Sequence, residues 1–105
     1  MIGVSCTVFC TKEFRTMWEA VSAEFRHWEI FSEADHAIQK VAPELLTYSD
    51  KGKMTYSLHS AISDTNVAAL TDIMREATLA EFRSELECAR DIGATSVTIH
   101  PGLFS

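Results

Sequence analysis

The chain has 105 residues, 47% of them hydrophobic, which predicts one folded domain at most and excludes a disordered chain. Nine basic residues against fifteen acidic ones give a formal charge of −6, which argues against a broad phosphate-binding surface and would suit a divalent cation in an acidic pocket. No apolar run approaches the ~18 residues of a membrane helix, the start lacks the basic segment of a signal peptide, and the three cysteines suggest no disulfide framework, which favours the cytoplasm.

The first predicted unit is a short strand followed by an amphipathic helix. Residues 2–6 form a β-like run that ends in small polar residues. Residues 13–25 predict a helix with Thr11 as its N-cap and Glu13 in its first turn, because apolar side chains recur there at helical spacing. The apolar stripe consists of Phe14, Met17, Trp18, Val21 and Phe25.

The second unit follows the same order, and the third unit begins after a turn. Residues 27–31 predict the second strand, and residues 34–48 predict a helix that Pro43 breaks or restarts. Residues 49–53 are a turn by composition, and residues 54–58 predict the third strand.

The longest predicted helix lies in the third unit. It follows a loop over residues 60–71, covers residues 72–92, and ends at Gly93, a residue typical of the position after a helix. Residues 95–99 predict the fourth strand. The stacked apolar face of the helix is predicted to consist of Leu79, Phe82, Leu86 and Ala89.

The order of these elements is typical of parallel strands joined by helical crossovers. An eight-unit barrel uses about 250 residues, or about 31 per unit, so this chain corresponds to roughly half of a (β/α)8 TIM barrel. We therefore expect a single amino-terminal half-barrel unit over residues 1–105, incomplete by itself. A small open parallel sheet with helices on both faces is the alternative. Because the outer strands of a half-barrel are open edges, we also expect self-association or pairing with a second half-barrel.

Two of the predicted strands lead directly into a histidine. The third strand is followed by His59, and the fourth is followed by His100. Parallel α/β folds carry their chemistry at the carboxyl ends of strands, and neutral imidazole is the commonest metal ligand. The pair therefore predicts a metal site, with two surface histidines near strand ends as the plain alternative.

Four segments resemble the xylose-isomerase-like barrel superfamily, which includes sugar and sugar-phosphate isomerases, epimerases and endonuclease IV-type enzymes. The segment from His59 to Ala68 resembles the family's loop after strand three, and His100-Pro101-Gly102 resembles its segment after strand four. Ile92-Gly93-Ala94 is similar to the Gly-Ala that precedes strand four, and Trp28-Glu29-Ile30 to the family's second strand. The resemblance covers nearly the whole chain but only half of the family's barrel.

The resemblance implies that His59 and His100 are ligands in a cluster of two or three divalent ions, zinc or manganese. The remaining ligands of the family belong to strands five to eight. It also suggests that Glu29, Asp64 and Asn66 contact substrate or support the ligands. The bland alternatives are an outward-facing strand residue for Glu29, and turn formation or helix capping for Asp64 and Asn66. The sequence assigns no catalytic residue.

The resemblance implies a metal-dependent sugar or sugar-phosphate isomerase or epimerase, active only as a completed barrel. The alternatives are an abasic-site DNA endonuclease and a non-catalytic half-barrel. Many relatives have an aromatic residue where this chain has Ala61-Ile62, and the endonuclease branch has a basic residue where residues 32–35 are acidic. Both departures favour a small sugar or sugar phosphate over DNA as the substrate.

Overall fold

The computed structural model describes residues 2–5, 7–48 and 54–103. Four parallel strands form one sheet in which neighbours follow the order of the sequence. The strands are β1 (Val4–Ser5), β2 (His27–Phe31), β3 (Thr55–His59) and β4 (Val97–Thr98). Strand β2 matches its prediction, whereas β1 and β4 are shorter than predicted and β3 lies one residue later. The predicted turn over residues 49–53 lies outside the described residues.

Three α-helices connect the strands. They are α1 (Phe14–Glu24), α2 (Ile38–Leu45) and α3 (Asp72–Asp91). Short 3-10 turns at Thr7–Thr11 and Ala34–His36 precede α1 and α2. The helix predicted over residues 34–48 is thus divided before Ile38, and α2 continues through Pro43 for two more residues. Within the described residues, no helix is both long and apolar enough to cross a membrane.

The two faces of the sheet have different environments. Trp28 and Ile30 of β2 pair with Tyr56 and Leu58 of β3, and all four side chains are at most 3% exposed. They form one core with apolar residues of all three helices, Val21, Leu45 and Ala89 among them. Because all three helices pack against this one face, the alternative of an open sheet covered on both faces is wrong. Sequential parallel strands covered on one side form part of a TIM barrel, so the predicted fold class is confirmed.

Two local predictions are wrong for identifiable reasons. The N-cap of α1 is Glu13, whose Oε1 accepts from the Thr16 N–H at 3.0 Å. Thr11 cannot cap α1 because it ends the preceding 3-10 turn, where its hydroxyl donates to the carbonyl of Val8 at 2.9 Å.

The buried face of α3 agrees with the prediction at Phe82 and Ala89 and differs from it at the other positions. It consists of Thr78, Phe82, Glu85 and Ala89. Leu86 is 45% exposed instead. Thr78 and Glu85 make hydrogen bonds to the loop after β3, which rotates the helix so that these two polar residues, and not Leu86, share the buried face with Phe82 and Ala89.

Candidate metal-binding site

The two predicted histidines meet at the carboxyl edge of the sheet. His59 ends β3, and His100 follows β4 by two residues. His59 pairs with Thr98, so the side chains of His59, Thr98 and His100 all point to the face opposite the helices. The Nε2 atoms of His59 and His100 lie 3.0 Å apart. The structure therefore brings the two predicted metal ligands together.

A backbone contact fixes which nitrogen of His59 faces His100. The Nδ1–H of His59 donates to the carbonyl oxygen of Ser60 at 2.9 Å, which leaves Nε2 without a proton, so that its lone pair faces Nε2 of His100. The ring also packs edge-on against Phe31, with 4.9 Å between the centroids. Metal-binding histidines commonly donate their second ring nitrogen to a carbonyl in this way. The ring is therefore oriented as a ligand would be.

The separation of the two nitrogens fits a shared divalent ion. Imidazole nitrogens bind zinc at about 2.0–2.1 Å, so two of them on one tetrahedral ion lie about 3.3 Å apart. The observed separation of 3.0 Å is close to that value. Across residues 2–5, 7–48 and 54–103, no cluster of three or more His, Cys, Asp or Glu side chains could hold a metal. Two histidines alone are fewer than the three or four protein ligands that zinc usually has, so their role as metal ligands stays a prediction.

The loop that follows His59 is held by two glutamates that the sequence prediction did not assign to the site. Glu33, directly after β2, accepts through Oε1 from the backbone N–H groups of Ile62 at 2.6 Å and Ser63 at 2.8 Å. Glu85 of α3 accepts from the Ser60 hydroxyl and from the Ala61 N–H, the latter at 3.1 Å. Glu33 binds the loop on its exposed side, and Glu85 binds it from the buried core.

Glu85 is an unusual group to find in the helix–sheet core. Its side chain is fully buried, and this burial raises the pKa of the carboxyl, while the bonds from Ser60, Ala61 and Ser32 oppose the rise. The sequence contained a signal for it. Glu85 lies three residues after Phe82 and four before Ala89, at the spacing of one helix face. A carboxylate on an apolar face requires buried donors.

Asn66 fastens the segment after His100 to the loop after His59. Its Nδ2 donates to the Leu103 carbonyl, and its Oδ1 accepts from the N–H groups of Leu103 and Ala68, all at 3.0 Å. Gly102, with φ of +89°, is packed so closely against Asn66 that a Cβ atom would overlap Oδ1. The amide group of Asn66 is thus engaged in holding the two loops together.

The other two residues predicted to contact substrate lie near the histidines without touching them in the described contacts. Asp64 is exposed in the same loop and borders a cavity of about 870 Å³, which His100 and Asn66 also line. Glu29 projects from the same sheet face as His59, and it accepts from the Ser5 hydroxyl at 2.8 Å. Their substrate roles stay predictions.

A third histidine on this face belongs to a different cluster. His27 begins β2, and its ring nitrogens bond to the hydroxyls of Thr55 at 2.8 Å and Ser57 at 2.9 Å. Since His27 pairs with Thr55, four residues before His59, it lies toward the opposite end of the strands. Its contacts are those of a structural residue.

Comparisons with known proteins agree with this architecture. No family model matches the chain. The uncharacterized protein MJ1311 of Methanocaldococcus jannaschii is 28% identical over 102 residues, which are 95% of this chain and 35% of that protein. The crystal structure of a D-tagatose 3-epimerase-like protein has a TM-score of 0.81 at 24% identity, covering 98% of this chain and 38% of that one. The chain therefore has the fold of part of that protein, and it spans little more than a third of either relative.

Proposed function

We propose that this chain supplies the first two ligands of a divalent-metal site in a sugar or sugar-phosphate isomerase or epimerase. The observation that carries the proposal is the 3.0 Å separation between Nε2 of His59 and Nε2 of His100 at the carboxyl edge of a parallel sheet. A bound zinc or manganese ion would polarise a sugar carbonyl or hydroxyl at this position. The further ligands would come from other strands of a completed barrel.

Two features support a small sugar as the substrate. The chain shares its fold with a D-tagatose 3-epimerase-like protein, although over only 38% of that protein's length. The residues after β2 include Glu33 and Asp35, whose charges would repel a phosphate backbone. Cleavage of abasic DNA is the alternative activity, which these charges disfavour. The cytoplasm is the compartment that we expect for either enzyme.

Metal binding can be measured on the chain itself. We expect Zn²⁺ to shift the ring resonances of His59 and His100 together in NMR spectra, and to leave those of His27 in place. His59→Ala and His100→Ala should each weaken Zn²⁺ binding by about tenfold or more, because each removes one ligand from a pair. His27→Ala is the matched control, since it removes an imidazole from the same sheet face. Equal affinity in all four proteins would refute the metal site.

The activity is tested on this chain and on any longer polypeptide that contains it, because the chain spans little more than a third of its relatives. We expect epimerisation or isomerisation of a ketose or its phosphate that is lost in His59→Ala and His100→Ala. Nicking of an abasic duplex without sugar conversion would establish the alternative. Metal binding with neither activity would favour the non-catalytic half-barrel.

Self-association is part of the same proposal. In the described sheet β1 and β4 are the outer strands, and the face that carries His59 is not covered by the helices. Such edges favour pairing with a second half-barrel. Light scattering at increasing concentration should show the chain as a dimer or larger species, and a strict monomer would refute this part.

A further inference from the structure

One peptide group connects the buried carboxylate of Glu85 to the imidazole of His59. The carbonyl oxygen of the Ser60–Ala61 peptide accepts from the His59 Nδ1–H at 2.9 Å. The N–H of the same peptide donates to Glu85 Oε1 at 3.1 Å. The carboxylate and the imidazole thus bind opposite sides of a single peptide group.

We propose that Glu85 is a positioning residue for His59, which acts through this peptide group to hold the imidazole in its Nδ1–H form and to keep Nε2 bare toward His100. A negative charge at the N–H side of a peptide increases the electron density on its carbonyl oxygen, because neighbouring hydrogen bonds polarise one another. The stronger acceptor then binds the Nδ1–H more tightly. Carboxylates that hold metal-binding histidines usually do so by direct contact.

The surroundings of Glu85 suit this role. The side chain is 0% exposed, so water screens its charge little. Its second oxygen accepts from the Ser60 hydroxyl, and both oxygens therefore act as acceptors, as in an ionised carboxylate. Ser32, whose N–H donates to the His59 carbonyl at 2.9 Å, bonds to Glu85 as well. The carboxylate is thereby fixed against both strand ends.

The charge of Glu85 distinguishes this role from simple support of the loop. A loop support requires only an acceptor, and Glu85→Gln keeps one oxygen acceptor at nearly the same place. The variant should therefore fold, whereas the imidazole of His59 should lose its preference for the Nδ1–H form. Glu81→Gln is the matched control, because Glu81 lies one turn earlier on α3 and bonds to Gln39 instead of the His59 loop.

The test is the tautomer of His59 in metal-free protein, read from ¹⁵N ring shifts at about pH 8, where imidazoles are neutral. We expect Nδ1–H in the unaltered protein, and a fall of about threefold or more in the ratio of Nδ1–H to Nε2–H in Glu85→Gln. Glu81→Gln should leave the ratio unchanged. An unaltered protein in the Nε2–H form would overturn the proposal even if Glu85→Gln does not fold, as would an unchanged ratio in a folded Glu85→Gln.

Two further variants separate the effect that Glu85 exerts through the Ser60–Ala61 peptide group, the relay, from the effects of neighbouring contacts. Ser60→Ala removes the hydroxyl bond but keeps the peptide, so it should destabilise the protein without shifting the tautomer. A shift as large as that of Glu85→Gln would mean that loop disorder is the cause. Repeating the measurement in His100→Ala removes the bond between the two rings, and the effect of Glu85→Gln should persist there.

A metal measurement then extends the inference, and this step rests on the proposed function. Glu85→Gln should weaken Zn²⁺ binding by about tenfold, the lower end for groups that orient a ligand. A tautomer shift without any Zn²⁺ binding by the unaltered chain would refute the metal site and leave the relay intact. Zn²⁺ binding by His59 and His100 with no tautomer shift in Glu85→Gln would support the metal site and refute the relay.

Discussion

The side-chain amide of Asn66 binds both backbone polar groups of Leu103. Its Oδ1 accepts from the Leu103 N–H and its Nδ2 donates to the Leu103 carbonyl, each at 3.0 Å. The paired bonds connect the loop after β3 to the segment after β4. Since His59 and His100 lie on these two segments, the position of one histidine relative to the other depends on this contact.

Removing the Asn66 amide should loosen the segment that carries His100. We expect Asn66→Ala to lower the free energy of unfolding by about 1–2 kcal/mol, because three partly exposed hydrogen bonds are lost. Amide hydrogen exchange should accelerate most at residues 100–103. Ser63→Ala, an exposed change in the same loop, should alter stability by less than about 0.5 kcal/mol. Equal effects of the two variants would contradict the role of Asn66 in holding the two segments together.

Among the described residues, two glycines have positive φ, and they should respond differently to alanine. Gly93 has φ of +71° and no neighbouring atom within 4 Å of where a Cβ would lie, so Gly93→Ala should cost only the strain of a left-handed alanine, about 1 kcal/mol. Gly102 has φ of +89°, and an added Cβ would overlap Asn66 Oδ1 and lie 3.1 Å from the Ala68 nitrogen. Gly102→Ala should therefore cost more than Gly93→Ala in urea unfolding, and it alone should move the ring resonances of His100.

The cap of α1 gives a test in which sequence and structure disagree. Glu13 Oε1 accepts from the N–H and the hydroxyl of Thr16, at 3.0 and 3.1 Å. Glu13→Ala should cost about 1 kcal/mol of stability, the usual value for a lost cap. Thr11→Ala removes only the bond to Val8 in the preceding turn, and it should cost about half of that or less. If Thr11→Ala lowered the thermal stability more than Glu13→Ala, Thr11 would be the cap instead.

What the sequence could predict here depends on how local each signal is. The two histidines were found because a strand end is marked by its own residues, and parallel order then brings neighbouring ends together. Their 3.0 Å separation depends on the register that pairs His59 with Thr98, which no local pattern encodes. The rotation of α3 was missed because Glu85 is buried by donors from Ser60 and Ala61, 24 or more residues away.

The N-cap error has a similar origin. Thr11 is a favoured N-cap by residue type and Glu13 is not, but the 3-10 turn that ends at Thr11 leaves the capping position to Glu13. Glu33 directly precedes the second predicted helix, yet its two bonds cross to Ile62 and Ser63 in another unit. Contacts between loops of successive units, which hold the candidate site, are therefore the part that local patterns predict least.

The last prediction concerns stability against pH and the buried ring of His36. This ring is 1% exposed, its Nε2–H donates to the Lys12 carbonyl at 2.7 Å, and it packs edge-on against Phe14 and Trp28. Burial lowers the pKa of His36, with the Lys12 bond opposing the shift. The unfolded chain then binds a proton below a pKa of about 6.5, while the folded chain does not. The stability due to a neutral His36 is therefore present above that pH and lost as the pH falls toward the folded pKa.

The comparison that isolates this effect uses His36→Gln, whose amide can still donate to Lys12. Glu85 acts in the opposite direction, since its raised pKa means that its carboxyl reduces stability as the pH rises from about 4.3 toward the folded value. That contribution is common to both proteins and cancels in their difference. We expect the unfolding free energy of the unaltered protein, minus that of His36→Gln, to increase between about pH 5 and pH 7.5 in urea titrations. Parallel curves would show that His36 is protonated equally in the folded and unfolded states.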